Sequence, residues 1–242
     1  MKIFKAIYTL YTTTLFIALM LLFGLFIVIP LILSSKGGKI SFIFIRLWAG
    51  IWSFLSGIRY EIHGKEFIEL RKPYIYIFNH RSFLDAPVIP MSIPQEVRAI
   101  GKKELSKVPV FGSVVGKLAV WVDRSNTESR RESLEKLMKI LNSGISVVVA
   151  PEGTRNDTDT TLLPFQKGAF RLSIETGIPI LPMAVIGADK IMKRGSLLLS
   201  PGKVKIYFSS PMKPPAASDT AINEFASKCR NQLEAMIVVH EW

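Results

Sequence analysis

A long uncharged run near the start of the chain limits what this sequence can fold into more than any other feature. Residues 6–35 contain no charged side chain, and residues 15–33 are apolar apart from Gly24. A helix of about 20 apolar residues is long enough to cross the core of a bilayer. A cleaved signal peptide fits poorly, because the run is too long and no small-x-small cleavage site follows it. The sequence therefore predicts a membrane helix, which Pro30 is expected to kink or end.

A second apolar segment, residues 40–58, carries Trp48, Trp52 and one charge, Arg46. Tryptophan beside a basic residue is typical of the lipid headgroup region and favours an interfacial or re-entrant helix. The same pattern fits an amphipathic helix buried in a globular domain, and periodicity does not separate the two. Beyond this segment the composition becomes that of a soluble domain, so we divide the chain into residues 1–58 and 59–242.

The charge balance indicates what the chain binds. Its 31 Lys and Arg against 19 Asp and Glu give a net charge of +12. This excess suits nucleic acid or an anionic membrane surface with phosphate-bearing ligands, and the apolar front end favours the membrane over nucleic acid. Cys229 is the single cysteine, which excludes a disulfide scaffold, and the three histidines are too scattered for a metal site.

The remaining sequence alternates strand and helix patterns. Short β-branched and aromatic runs predict six strands, and periodic apolar positions with end signals predict three helices. Together they predict an α/β domain with a central mixed, largely parallel sheet flanked by helices. The predicted strands are residues 74–78, 97–100, 118–122, 145–149, 180–186 and 204–208, and the predicted helices are residues 128–141, 167–176 and 219–240.

Polar residues follow four of these strands directly. His80 follows the first, Lys102 the second and Arg124 the third, while Glu152-Gly153-Thr154-Arg155 follows the fourth. Ligands of open α/β sheets bind beyond the carboxyl ends of the strands. If the strands are parallel, these residues converge on one edge of the sheet, which makes that edge the candidate site.

His80 and Asp85 have two readings. A histidine is the natural base at neutral pH, and a carboxylate five residues later is able to accept its other ring N–H and fix the tautomer. However, Ser82 and Asp85 also have the spacing of a capping box at a helix start, which would give Asp85 a structural role only. The residues alone leave both readings open.

The arginines point to an anionic substrate. Arg124 and Arg155 are permanently charged forks that bind phosphate bidentately, although either one alone is more typical of solvated surface. Gly153 allows a close backbone approach to a ligand but serves a plain turn equally well. Glu152 has the chemistry to orient a substrate hydroxyl or to pair with an arginine.

An apolar segment completes the set of candidates. Residues 178–183 contain Pro179 and Pro182 and fit either an ordinary core strand or one wall of an acyl-chain channel. The sequence has no Gly-x-Ser-x-Gly elbow, phosphate-binding loop or dinucleotide fingerprint, which argues against a serine hydrolase and a nucleotide enzyme.

Taken in order, four blocks resemble the glycerophospholipid acyltransferase family, whose best-known members are lysophosphatidate acyltransferases. The blocks are Asn-His-x4-Asp at residues 79–85, the segment ending in arginine at 119–124, Pro-Glu-Gly-Thr-Arg at 151–155 and the proline-containing apolar segment at 178–183. The resemblance covers about residues 59–215 and implies the glycerolipid acyltransferase fold, with residues 59–242 as the catalytic domain and a membrane-anchoring front end.

The resemblance also implies a reaction. Acyl-CoA or acyl-carrier protein would donate a fatty acyl group to the free hydroxyl of 1-acylglycerol 3-phosphate, giving phosphatidic acid without a metal or other cofactor. His80 would be the general base and Asp85 would orient it. The implied phosphate-binding set is Arg124, Glu152, Gly153, Thr154, Arg155 and Lys102, and the implied acyl-chain contacts are Pro179 and Pro182.

Because these donors are cytosolic, the resemblance places the catalytic domain on the cytoplasmic side of the inner membrane. A helix pair that dips into one leaflet keeps both of its ends on that side, so we favour the pair over one complete span. Two alternatives stay open. In the first, the chain is an acyltransferase whose acceptor is another lysophospholipid, glycerol 3-phosphate or a lyso-aminolipid. In the second, the chain is a non-enzymatic membrane protein that binds anionic lipid.

Overall fold

A computed structural model describes residues 2–34, 37–108, 112, 116, 118–123, 125–193, 195–218 and 220–240. These residues form a seven-stranded sheet with helices on both faces and a pair of long N-terminal helices, which confirms the predicted α/β class. The strands are β1 Ile58–His63, β2 Ile75–Phe78, β3 Val97–Lys102, β4 Ala119–Val122, β5 Ser146–Val149, β6 Ile180–Ile186 and β7 Gly202–Phe208.

The sheet is mixed and largely parallel. Its strand order is β1-β7-β6-β2-β5-β3-β4, with β2 parallel to both β5 and β6. Among the pairings of these seven described strands, only that of β6 with β7 is antiparallel, so β1 and β7 run against the other five strands. All six predicted strands are confirmed. Strand β1 was not predicted, although Ile58, Tyr60 and Ile62 alternate there with three polar residues, as edge strands commonly do.

The predicted helices are confirmed with small changes at their ends. Asn126 caps α4 by accepting the backbone N–H of Ser129 at 3.0 Å, and Gly177 ends α5 with a φ of 72°. The helices are α1 Lys2–Leu33, α2 Gly37–Leu55, α3 Asp85–Ser92, α4 Thr127–Asn142, α5 Gly168–Thr176, α6 Ala188–Ile191 and α7 Ala221–His240.

Side chains alternate between two apolar layers, because successive strand residues point to opposite faces of a sheet. Tyr76 lies in the layer that α2 and α3 cover, together with Trp52 and Val88. Ile75 and Ile77 lie in the layer that α4, α5 and α7 cover. Since both faces are covered, every residue of β2 is buried, and the polar residues that follow this strand emerge only at its carboxyl end.

The first helix is longer than predicted. It continues past Pro30 and ends three residues later at Leu33, so the proline does not end it. Pro30 lies in the last turn, where its missing N–H costs one hydrogen bond and its own carbonyl still accepts the N–H of Ser34 at 3.1 Å. Helix α2 then returns closely along α1, since a Cβ on Gly37 would lie 1.7 Å from the Pro30 carbonyl oxygen.

The second apolar segment, α2, combines features of both readings. Its inner face packs on the domain, with Trp52 buried and the Arg46 guanidinium donating to the Ile93 carbonyl at 2.9 Å. Its outer face and that of α1 expose large apolar side chains, including Leu47 and Phe54. Both helices are long and apolar enough to cross a membrane. The division of the chain at residue 58 stays a prediction.

Candidate active site

His80 lies two residues beyond the end of β2, at the edge where the carboxyl ends of β2 and β5 meet. The loop after β5 holds it from both sides. The backbone N–H of His80 donates to Glu152 Oε1 at 2.9 Å, and its carbonyl accepts the N–H of Asn156 at 2.7 Å. The parallel pairing thus brings the first and fourth polar segments together, as the sequence predicted.

Asp85 contacts the imidazole directly. His80 Nδ1 lies 2.7 Å from Asp85 Oδ2, and the same oxygen accepts the backbone N–H groups of Arg81 and Ser82 at 3.1 Å each. The Asp85 side chain is 3% exposed and that of His80 is 29% exposed. Burial raises the pKa of the Asp85 carboxyl, and the hydrogen bond from His80 opposes that shift.

The two readings of Asp85 are therefore compatible. Its carboxylate closes the turn before α3 by accepting backbone N–H groups, and it also binds the imidazole of His80. A proton on Nδ1 that is donated to Asp85 leaves the Nε2 lone pair to accept another proton. Since the His80 ring is partly exposed, this pair has the geometry of an oriented general base.

Glu152 has a different environment from the one expected of a phosphate-binding residue. It is buried, and its two oxygens accept the backbone N–H groups of His80 at 2.9 Å and Leu163 at 2.8 Å. Burial raises the pKa of this carboxyl, and the two backbone hydrogen bonds oppose the rise. The contacts of Glu152 thus fix the loop after β5 to the end of β2.

The rest of the loop turns sharply and extends Arg155 toward the His80 segment. Gly153 has a φ of +73°, and a Cβ there would lie 2.9 Å from Gln166 Cγ. Thr154 is exposed. The Arg155 guanidinium lies over the ring of Phe83, 4.3 Å from its centroid, which brings this charge to the turn between His80 and Asp85.

The other predicted site residues are more dispersed. Lys102 ends β3, with β5 between it and β2, and its ammonium is exposed and lies 3.4 Å from Glu104 Oε1. Arg124 lies outside the described residues. Pro182 is buried in β6 opposite Ile77 of β2, and the carbonyl of Pro179 accepts the N–H of Ile75 at 3.1 Å. Their predicted contact with an acyl chain stays a prediction.

Two residues of the His80 segment have supporting contacts that we did not predict. The Asn79 side-chain amide exchanges two 2.8 Å hydrogen bonds with the backbone of Val185, which fixes the end of β2 to β6. Arg81 Nη1 donates to the Thr160 carbonyl at 3.2 Å, and Arg81 Nε lies 3.6 Å from Asp189 Oδ2. The buried Asn after an apolar strand was the available signal, since a buried amide needs partners.

No group of three or more His, Cys, Asp or Glu among the described residues is placed to hold a metal ion. Residues 59–186, just over half of the chain, match the acyltransferase family. The chain belongs to the acyltransferase family. The match begins at β1 and ends with β6, so it spans both elements that hold His80.

Similar proteins agree with this membership. The chain is 33% identical over 189 residues to a 1-acyl-sn-glycerol-3-phosphate acyltransferase of Cocos nucifera, a match that covers 77% of this chain and 59% of that one. It is 30% identical over 216 residues to the Saccharomyces cerevisiae protein of the same name, covering 87% of this chain and 71% of the yeast one.

A solved structure is also similar. The chain superposes on the crystal structure of the 1-acyl-sn-glycerophosphate (LPA) acyltransferase PlsC from Thermotoga maritima with a TM-score of 0.81 and 25% identity. That match covers 100% of this chain and 98% of the other, so it includes the helices α1 and α2. By contrast, the chain spans 53–59% of the length of three plant relatives.

Proposed function

We propose that this chain transfers a fatty acyl group from acyl-CoA or acyl-carrier protein to the free hydroxyl of 1-acylglycerol 3-phosphate, forming phosphatidic acid. The observation that carries the proposal is the 2.7 Å contact between His80 Nδ1 and the buried Asp85 carboxylate, which lies within the residues that match the acyltransferase family. The names of the similar proteins support lysophosphatidate as the acceptor.

His80 acts as the general base. Its Nε2 takes the proton of the acceptor hydroxyl as the oxygen attacks the thioester carbonyl, and Asp85 stabilises the imidazolium that forms. The new C–O bond forms, the C–S bond breaks, and the imidazolium returns its proton to the departing thiolate. The substrate hydroxyl is the nucleophile, so the reaction passes through no covalent enzyme intermediate.

Arg155 binds the acceptor phosphate. Its guanidinium lies over Phe83, beside the turn that carries the base, and a planar fork of this kind matches two phosphate oxygens. Gly153 and Thr154 shape the loop around the phosphate. Glu152 acts through its hold on the backbone of His80. Lys102 adds positive charge from the end of β3, and the role of Arg124 in binding the phosphate rests on the sequence alone.

The helices α1 and α2 support a location of this site at the membrane. Both ends of α2 contact the domain, since Gly38 lies against the Glu96 side chain and Leu55 leads directly into β1. The outer faces of both helices expose large apolar side chains. This arrangement supports a helix pair that enters one leaflet, with the domain on the cytoplasmic side where the acyl donors occur.

A panel of substrates tests the assignment. The full chain in detergent receives a long-chain acyl-CoA or acyl-carrier protein together with lysophosphatidate, glycerol 3-phosphate or lysophosphatidylcholine, and the acylated product is measured. We expect phosphatidate from lysophosphatidate with at least one donor. Turnover only with an acceptor that lacks a terminal phosphate would contradict the proposed acceptor, and no turnover with any pair would contradict the proposed reaction.

A further inference from the structure

A small cavity of about 200 Å³ lies outside the His80 site, where α6 and the loop that follows it meet the first turns of α1. Its walls are mostly apolar, formed by Ile191, Leu198 and the side chains of three lysines, with two serines beside them. The residues that the argument uses are Lys5, Lys190, Lys193, Ser196, Leu198 and Ser200.

The cavity concentrates positive charge that the protein leaves unpaired. Lys5, Lys190 and Lys193 form no ion pair with any carboxylate in the described part of the chain. Asp189, the carboxylate beside Lys190, instead lies 3.6 Å from Arg81 Nε. Three lysines line one small cavity, so an anion of phosphate size at its mouth would be attracted by their charge and would accept their N–H donors.

Large apolar side chains are exposed beside the cavity. Leu197 is 72% exposed and follows the cavity residue Ser196, while Ile3 on α1 is 78% exposed. The backbone N–H of Leu199 donates to Thr9 Oγ1 at 2.8 Å, which fixes this loop to α1. Exposed leucines beside lysines match the boundary between acyl chains and phosphates, where apolar groups enter the bilayer and ammonium groups stay at headgroup level.

From this combination we infer that the cavity binds the phosphate of an anionic membrane phospholipid, separately from the acyl-transfer reaction. The lysines hold the phosphate, and Leu197 and Leu198 contact the acyl chains beside it. Lys190 lies next to Asp189, which pairs with Arg81, the residue after His80. A lipid in this cavity would therefore fix the sheet edge that carries His80 at a constant depth in the bilayer.

Lipid retention by the full chain tests the site without any turnover. Purified protein in a nonionic detergent is titrated with dioctanoyl phosphatidylglycerol, dioctanoyl phosphatidylcholine or inorganic phosphate, and mass spectrometry of the intact complexes gives the apparent Kd. The test variant is Lys190→Gln/Lys193→Gln. The control, Lys139→Gln/Lys228→Gln, removes the same charge from α4 and α7, which cover the other face of the sheet.

We expect phosphatidylglycerol to bind more tightly than phosphatidylcholine, and its Kd to rise about tenfold or more in the test variant only, since each lysine near an anionic lipid surface is worth about 1 kcal/mol. An unchanged Kd in the test variant, or an equal rise in the control, would overturn the site. Displacement of the lipid by inorganic phosphate at equal concentration would overturn the lipid as its ligand.

Two checks keep the outcome separate from other failures. The single variant Lys193→Gln, at an exposed loop position, replaces the double variant if the latter has a lower Tm without lipid. His80→Ala should retain phosphatidylglycerol as the unmodified protein does, because the cavity does not contain His80. Loss of lipid binding in His80→Ala would show that the cavity and the reaction site are not separate. That result would contradict the inference, whatever the reaction proves to be.

Discussion

The backbone N–H of His80 donates to the Glu152 carboxylate over 2.9 Å, and this hydrogen bond joins the segment after β2 to the loop after β5. The other oxygen of Glu152 accepts the backbone N–H of Leu163, so both oxygens of this side chain bind backbone N–H groups. Glu152 therefore positions the proposed base through the main chain, while Asp85 orients its ring. The two carboxylates fix different degrees of freedom of one residue.

Glu152→Gln should destabilise the protein. The glutamine has the same shape, but its NH2 group replaces one acceptor and faces a buried backbone N–H of His80 or Leu163. An unsatisfied buried donor costs about 1–3 kcal/mol. We expect a Tm lower by several degrees and a reduced kcat. Glu132→Gln on the exposed face of α4 is the control, and an equal Tm in the two variants would contradict this role of Glu152.

Asp85→Asn should leave the protein folded and slow the reaction. The asparagine oxygen takes the place of Oδ2 and keeps the backbone N–H groups of Arg81 and Ser82, but a neutral amide does not stabilise the imidazolium that forms on His80. We expect kcat to fall by about two to four powers of ten while the KM of the acceptor changes little. Asp157→Asn, in an exposed position of the loop after β5, should retain activity. Equal kinetics for both variants would show that Asp85 acts only as a helix-start residue.

Gly153→Ala and Gly144→Ala form a matched pair. Both glycines have positive φ, +73° and +84°, so both substitutions carry backbone strain of about 1 kcal/mol. A Cβ at residue 144 meets nothing within 4 Å, whereas one at residue 153 lies 2.9 Å from Gln166 Cγ. We expect Gly153→Ala to lower the Tm further and to reduce kcat/KM. If Gly144→Ala reduces kcat/KM as much as Gly153→Ala, the close contact with Gln166 is not the cause of the lower activity.

Arg155→Lys should weaken binding of the acceptor more than catalysis. A lysine keeps the charge but loses the bidentate fork and the planar contact with Phe83. We expect KM for lysophosphatidate to rise about tenfold, with kcat within a few-fold of the original value. Phe83→Leu, which removes the ring and keeps the arginine, should have a smaller effect. A kcat loss without a KM change would argue against phosphate binding by Arg155.

Much of this arrangement could be predicted because its signals are local. The strand before His80 is an unbroken apolar run bounded by a proline and an asparagine, and its burial on both faces explains that pattern. The distance of five residues between His80 and Asp85 spans one turn at a helix start, so their contact also follows from the chain itself.

Contacts between distant segments were the ones that sequence reasoning missed. Glu152 reaches a backbone N–H that lies 72 residues earlier, and no property of a glutamate in a loop indicates such a partner. Likewise Lys5 and Lys193 share a cavity only because α1 runs beside the loop after α6. The edge strand β1 is a different case. Its alternation of apolar and polar residues is present in the sequence, but its three polar residues make it unlike the apolar runs that predicted the other strands.

The most direct test of the central claim is the rate of phosphatidate formation by the unmodified chain and by His80→Ala, measured side by side with lysophosphatidate and an accepted acyl donor. An oriented general base contributes about a hundredfold or more to such a transfer. The account predicts a loss of at least that size in His80→Ala, with an unchanged Tm. Full activity in the variant would contradict the assignment of His80 as the base.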